Sequence, residues 1–290
     1  MCVSVSPRVR VHFSDTILYA AEVCGRGKAR DKMLHVLGYE NTVQNALNGN
    51  GHQGNAMLLP LPAVPGTMTQ ANCIPTEQCP RILHDYAEAL FPLRWSGNRG
   101  STAPAGPVPK ARVEVFESGV YTIALAQDAT AIPDALMQVP PEKLPVLNPE
   151  LFNAYSAWYP KWTFALCCFN NQHLARATPL LWWYEPLNPD YLFAPALDCH
   201  TGELPDLTAE VSVDHTLIAG SSIMEGGWRV DFSDRLSPGI SRYLVRRIVG
   251  DWSGRDDEIP DRLRNGDFIF PLGVVRAGLF AYARVPPPAA

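Results

Sequence analysis

Short apolar stretches with a period of two recur along this 290-residue chain, and stretches with a helical period are few. The opening "CVSVS" alternates strictly, so Val3 and Val5 share one face of a strand while Cys2, Ser4 and Ser6 share the other. "TILYAAEV" (Thr16 to Val23) follows a polar Ser-Asp turn, close enough for the two segments to pair as a hairpin. Met33 to Asn45 supplies a third strand, and Asn55 to Pro62 a fourth that ends in prolines. A helix is expected over Thr76 to Phe91. There Ile82, Leu83, Tyr86, Ala87, Leu90 and Phe91 fall on one face, and Pro80 suits the first turn. The opposite face, with His84, Asp85 and Glu88, reads as solvated.

The second half continues in the same way. "ARVEVFESGVYTIALAQ" breaks at Glu117-Ser118-Gly119 into two strands, a hairpin or a bent pair. "NPELFNAYSAWY" (Asn148 to Tyr159) reads as a short helix with Asn148 as its cap and Pro149 at the first helical position. "KWTFALCCF" and "ATPLLWWYEP" read as buried strands, and "AEVSVDHTLIAG" alternates before turning apolar. Ser237 to Gly250 is expected to be a helix closed by glycine, and "DFIFPL" and "AGLFAYARV" close the chain as strands. The sum is an α+β protein, mostly antiparallel sheet with a few short helices and proline-rich loops. Twenty-seven prolines argue against long helices. "WSGNRGSTAPAGPVPK" concentrates Gly, Ser, Thr and Pro. It divides the chain into a β-rich front (1–95), a linker or long loop (96–110) and an α+β back (111–290), which could still be one continuous domain.

Charge and cysteine content narrow the function classes. A net charge of −5 leaves no nucleic-acid footprint, and the one dense basic stretch, Arg26 to Lys32, reads as a hairpin tip. No run approaches the roughly 18 apolar residues of a membrane span, and no secretory signal opens the chain, so a cytoplasmic protein is expected. The seven cysteines are odd in number and irregularly spaced, which fits free thiols better than a disulfide framework or a zinc knuckle. No nucleotide loop, serine-hydrolase elbow or zincin motif occurs, and no cofactor or metal is implied. The densest aromatic cluster, Trp158, Tyr159, Trp162 and Phe164 with Trp182, Trp183 and Tyr184, is core by default or else an aromatic groove for a ligand or peptide.

The residue with the most specific chemistry is Cys2. Methionine is removed in front of a residue this small, and an N-terminal cysteine carries a thiol nucleophile beside its own α-amine as base. An oxyanion would need a donor such as an asparagine amide, and Asn41, Asn45, Asn48, Asn50 and Asn55 follow downstream. In the Met-Cys start, the following hairpin and the α+β layering, the first 60 or so residues resemble the N-terminal-nucleophile cysteine amidohydrolases. That resemblance implies Cys2 as nucleophile, with an asparagine such as Asn55 at the oxyanion and a small amide as substrate. The chain departs from it in that Asp15 precedes the second strand, where one branch has an aspartate at that strand's tip, and in Val3-Ser4, where another branch has Gly-Ile. His35 offers a separate imidazole base if strands one and three are neighbours, with Asn55 or Asn41 to orient it. Residues 35–205, through "NAMLLPLPAVP", "SGVYTIALAQDATAIPDAL" and "LNPELFNAYSAWYPKWTFALCCF", also resemble a bacterial family of unknown function, which implies a fold and no chemistry. The alternative to catalysis is a non-enzymatic binding, scaffold or assembly protein with an aromatic, proline-rich surface for a protein partner.

Overall fold

The computed structural model describes residues 3–5, 11–25, 32–45, 54–90, 113–170, 178–252 and 262–287, without the side chains of 3, 11–15, 42–45 and 252. The first part of the chain forms β1 (Val3–Ser4), β2 (Val11–Cys24), β3 (Met33–Asn45), β4 (Gly54–Leu61), β5 (Cys73–Ile74) and α1 (Ile82–Leu90). Next come β6 (Val113–Ser118), β7 (Tyr121–Ala126), α2 (Ile132–Ala135), α3 (Pro149–Trp158), β8 (Thr163–Asn170), β9 (Leu180–Tyr184) and β10 (Tyr191–Ala194). The remainder gives β11 (Glu210–Ser212), β12 (Thr216–Ser221), β13 (Trp228–Arg229), α4 (Pro238–Ser241) and β14 (Arg247–Trp252). It ends with β15 (Arg262–Arg264), β16 (Asp267–Pro271), α5 (Leu272–Arg276) and β17 (Ala283–Val285).

Two sheets carry the fold, a five-stranded one ordered β1-β4-β8-β7-β6 and a seven-stranded one ordered β13-β14-β12-β2-β3-β9-β5. Strand pairs are antiparallel except β12 on β2, so the class is α+β with mostly antiparallel sheet. Both sheets combine strands from before and after residues 96–110, while that segment itself lies outside the described residues.

Alternation along the strands sorts the core into three layers. Leu18, Leu37, Tyr39 and Trp182 of the larger sheet face Met57, Leu59, Ile123 and Cys167 of the smaller one. The other face of the smaller sheet, including Leu58, Phe164 and Leu166, packs under α2 and α3 through Ile132, Leu151, Phe152 and Tyr155. The other face of the larger sheet, including Ile17, Tyr19, Val36 and Ile218, packs under α1 through Ile82, Leu83 and Tyr86. The order is helix, sheet, sheet, helix.

Several local expectations hold. Asn148 caps α3, its Oδ1 accepting from Glu150 N at 3.1 Å, with Pro149 in the first turn. Gly119 turns the β6–β7 hairpin at φ +56°, a conformation that favours glycine. Others are corrected. β1 does not pair with β2: it lies on β4 in the smaller sheet, while β2 pairs with β3 and β12 in the larger. The helix over Thr76–Phe91 begins only at Ile82, because residues 73–81 form edge strand β5 and two turns, closed by Cys79 N on Thr76 O and Ile82 N on Cys79 O. Pro80 sits in those turns. Only Pro238–Ser241 of the expected 237–250 helix is helical. Ile248, Val249 and Gly250 pair instead with Gly220, Ala219 and Ile218, where Gly250 lets the backbones meet. His84 and Asp85 are buried rather than solvated. The sheet covers one side of α1, where His84 Nε2 lies 3.0 Å from Glu40 Oε1. The segment before α4 covers another, where Asp85 accepts from the backbone and hydroxyl of Ser233.

A methyl group at Gly54 would fall 2.3 Å from the carbonyl oxygen of Leu144. Gly54→Ala must therefore push the short turn at Pro141–Lys143 off β4, and it is expected to cost about 2 kcal/mol. A lower urea midpoint with an unchanged slope would register that loss; an unchanged midpoint would mean that the turn is free to shift.

Candidate functional site

The structure separates the residues that the sequence groups around Cys2. Cys2 itself lies outside the described residues. On the neighbouring strand Ser4 Oγ donates to Asn55 Oδ1 at 3.1 Å, and the same oxygen accepts from Ala56 N at 2.8 Å. Asn55 is buried, and its Nδ2 has no partner among the described residues. Ser4 stands opposite Met57 and Val3 opposite Leu58, so β1 traced back towards its start runs along β4 away from Asn55. His35 is in the other sheet, opposite Glu22 and Tyr184. Asn41 reaches the Tyr39 hydroxyl and Met57 Sδ, which places it at the Asn55 end of the inter-sheet layer. Six residues of extended strand, about 20 Å, separate it from His35. Strands one and three are therefore not neighbours, and neither Asn41 nor Asn55 can orient the imidazole.

His35 belongs instead to a buried polar row. Glu22, 1% exposed, accepts from Ser221 Oγ at 2.8 Å and from Arg276 Nε at 2.9 Å, with Arg276 Nη2 on its second oxygen. His35, 2% exposed, meets the Tyr184 ring edge to face with centroids 5.9 Å apart, and its Nε2 finds no partner among the described residues. Burial pushes the imidazole down to about 4, opposed by the Glu22 carboxylate and reinforced by the Arg276 guanidinium. A base poised so far below neutrality is a poor proton acceptor at pH 7. Burial likewise pushes the thiols of Cys73, Cys79 and Cys168 up to about 12, which keeps them protonated and unreactive. Cys24 is exposed at the end of β2, against Ser222 Oγ at 3.4 Å and Met33 Sδ at 3.8 Å.

A hollow of about 400 Å³ opens where β5 edges the larger sheet, between the 71–78 segment and α4. Its wall is built from the odd member of an alternating triplet. Trp182 and Tyr184 face the inter-sheet core, so Trp183 faces outward into the hollow. Hydrogen bonds fix it there: Trp183 Nε1 donates to Ala71 O at 3.1 Å, and Asn72 Nδ2 donates to Trp183 O at 2.8 Å. Asn72 is held in turn by Thr69 N, at 2.9 Å from its Oδ1. Tyr243 stacks on Trp183 with ring centroids 5.5 Å apart and planes 8° from parallel, and the Arg242 guanidinium lies 4.6 Å over the Tyr243 ring. Ile74 and Ile240 are the buried apolar floor, and Glu77 adds a carboxylate.

This arrangement can bind, and its own groups offer little for bond-making. Its thiol, Cys73, is held neutral, and no imidazole lines it. Among the described residues no three His, Cys, Asp or Glu side chains converge on a point that could hold a metal ion. No described helix is long and apolar enough to cross a membrane. The sequence pointed to the aromatic cluster but ran its members together. Tyr159, Trp162 and Phe164 are buried over the smaller sheet, Trp182 and Tyr184 lie between the sheets, and only Trp183 reaches the hollow. The period-two pattern of Trp182-Trp183-Tyr184 carried that signal; nothing in the sequence pointed to Tyr243 as its partner.

No protein-family profile matches the chain, and no curated protein does. Among solved structures it is similar to crystal structures of baculovirus P35. For the intact protein the TM-score is 0.41 at 14% identity, over 94% of this chain and 92% of that one. For a mutated P35 after caspase cleavage it is 0.38 at 14% identity, over 73% and 67%. For P35 in a caspase-8 complex it is 0.37 at 10% identity, over 94% and 92%.

The His35 environment sets a pH response. The unfolded chain takes up a proton on this imidazole near its ordinary pKa of 6.5, and the folded chain does so only near 4. Stability from this group is therefore full above pH 6.5 and is lost as the pH falls toward 4. Between pH 7 and pH 5 the loss is expected to be about 2 kcal/mol. His35→Gln, which removes the titrating group, should shrink the drop in urea midpoint between those two pH values. An identical drop in wild type and variant would assign the acid sensitivity elsewhere.

Proposed function

We propose that this chain is a non-enzymatic binding protein that holds a partner protein by one large apolar or aromatic side chain seated in the hollow beside Trp183. The Arg242–Tyr243–Trp183 stack is the observation that carries this reading. Stacked aromatic and arginine side chains are the groups that dominate binding energy in protein interfaces, because they offer large contact area with few rotamers to freeze. A hollow of about 400 Å³ is at the small end for a ligand site and suits one anchoring side chain with its flanking backbone. Arg242 and Gln78 are exposed and able to reach the partner's polar atoms around that anchor.

The edge of β5 favours capture by a side chain over capture by strand addition. Cys73 N already donates to Gln70 O, and Pro75 has no N–H, so the strand gives an incoming chain little to pair with. Specificity then rests on the shape of the anchor.

Selection of a random peptide library on the immobilised protein tests the reading. Enriched peptides are expected to share one aromatic or long aliphatic residue and to bind in the micromolar range. Trp183→Ala should weaken them about 30-fold, the ordinary cost of truncating an interface anchor. Gly239→Trp provides a control that cuts no existing contact, because a Cβ at that position meets only Ser237 Oγ at 3.7 Å and the ring beyond it would plug the hollow that Gly239 lines. Peptides that bind the plugged protein as well as wild type, or a selection that never converges, would overturn the proposal.

A further inference from the structure

The opposite edge of the larger sheet is built quite differently. There, among the described strands, β13 pairs only with β14, with Trp228 facing Ile248 and Arg229 facing Arg247. Val230 N donates to Arg246 O at 3.0 Å, which makes Val230 a hydrogen-bonded position of the ladder. Arg229, one residue away, is then a non-bonded position, and its N–H and C=O point outward to the free edge. Non-bonded positions also bring the facing Cβ atoms closest, so two cationic side chains leave the same face of the ladder side by side. Among the described residues Arg229 has only the exposed Asp231 at 3.5 Å, and Arg247 only a long bond to Gly226 O. Arg246, exposed beside them, lies over the Phe232 ring at 4.9 Å and pairs with no carboxylate among the described residues.

Apolar surface adjoins this charge. Ile223, Trp228 and Leu279 are 50%, 57% and 63% exposed, unusual values for side chains of this size. Ile223 and Leu279 come from two touching turns, and Trp228 from β13 two residues past Gly226: a Cβ on Gly278 would lie 2.6 Å from the Gly226 Cα, and Glu225 N donates to Arg276 O. The three apolar groups and the arginine pair therefore border one strand edge.

We propose that this edge takes up an extended segment of a partner protein in which acidic and apolar residues alternate. Added beside β13, such a strand sets its carboxylates over the Arg229–Arg247 pair and its apolar residues beside Trp228, while its backbone pairs with Arg229. Charge selects the occupant. A second copy of this chain laid on the same edge would bring two more arginines against the first two, so the edge is closed to self-pairing and open to an acidic strand. The surface is separate from the hollow beside Trp183 and does not depend on it.

A fluorescein-labelled peptide of alternating leucine and glutamate, with a leucine–lysine peptide as control, is the probe, read by anisotropy. The acidic peptide should bind, weaken at least about tenfold when salt is raised from about 0.05 to about 0.5 M, and leave the lysine peptide unbound. Arg229→Glu with Arg247→Glu should abolish binding, and Trp228→Ala should weaken it. All three side chains are exposed, and an unchanged melting temperature would confirm that these variants fold. Gly239→Trp, which fills the other site, should change nothing, so the two surfaces stand or fall separately. Equal binding of both peptides, or binding that survives the double glutamate variant, would overturn the proposal. So would capture by phosphatidylserine vesicles in place of the peptide, or a dimer in sedimentation that Trp228→Ala dissolves.

Discussion

Both faces of the central strands are buried, and the layers of the molecule follow from covering them. β4 is buried along its whole length, and β7 likewise. A sheet of such strands cannot leave a face to water, so each must find two covers. One cover is shared, since the inner faces of the two sheets pack on each other through Leu37, Tyr39, Leu59 and Ile123. The second is supplied separately, by α2 and α3 on the smaller sheet and by α1 on the larger. The free edges are what remain accessible, and both proposed binding surfaces lie there.

Buried carboxylates tie the periphery to this sandwich. Glu22 holds Arg276 at the end of α5, and Glu40 holds His84 on α1. Asp267 on β16 accepts from the Tyr159 hydroxyl just after α3 and from the backbone of Ala196 and Leu197. Burial pushes the Asp267 carboxyl up to about 6 even against these donors and the nearby Arg284. Ionic groups in such places add little net stability, because desolvation consumes most of what pairing returns. Removing one partner is costly, however, so each pair admits one docking geometry for its element and penalises the others.

Strands with a clear period of two were readable from residues alone, and Met33–Asn45 begins and ends where the pattern does. The Asn-Pro start of α3 was readable too, since its cap is a local interaction. Pairing was not. "CVSVS" says that a strand exists but not that it will lie on β4 rather than β2, a choice made by contacts more than fifty residues away. His84 reads as solvated because its neighbours are acidic, and only the approach of Glu40 on β3 buries it. The stretch from Ser237 failed for a related reason. Its apolar residues satisfy a helical period, but Ile248 and Val249 are β-branched and β12 was waiting for a partner. Of the site, Trp183 was legible as the outward member of its triplet, whereas Tyr243 and Arg242 come to it through tertiary packing.

The parallel ladder between β2 and β12 also governs how the molecule can be made. Ile17 pairs with Thr216 and Glu22 with Ser221, so the heart of the larger sheet joins segments 199 residues apart in sequence. During synthesis the β2–β3 hairpin leaves the ribosome long before its neighbour exists. It must wait with an uncovered ladder edge and two apolar faces. Closure of that gap is an entropically expensive, late event, which makes the nascent chain a client for chaperones and leaves any truncation before β12 an aggregation hazard.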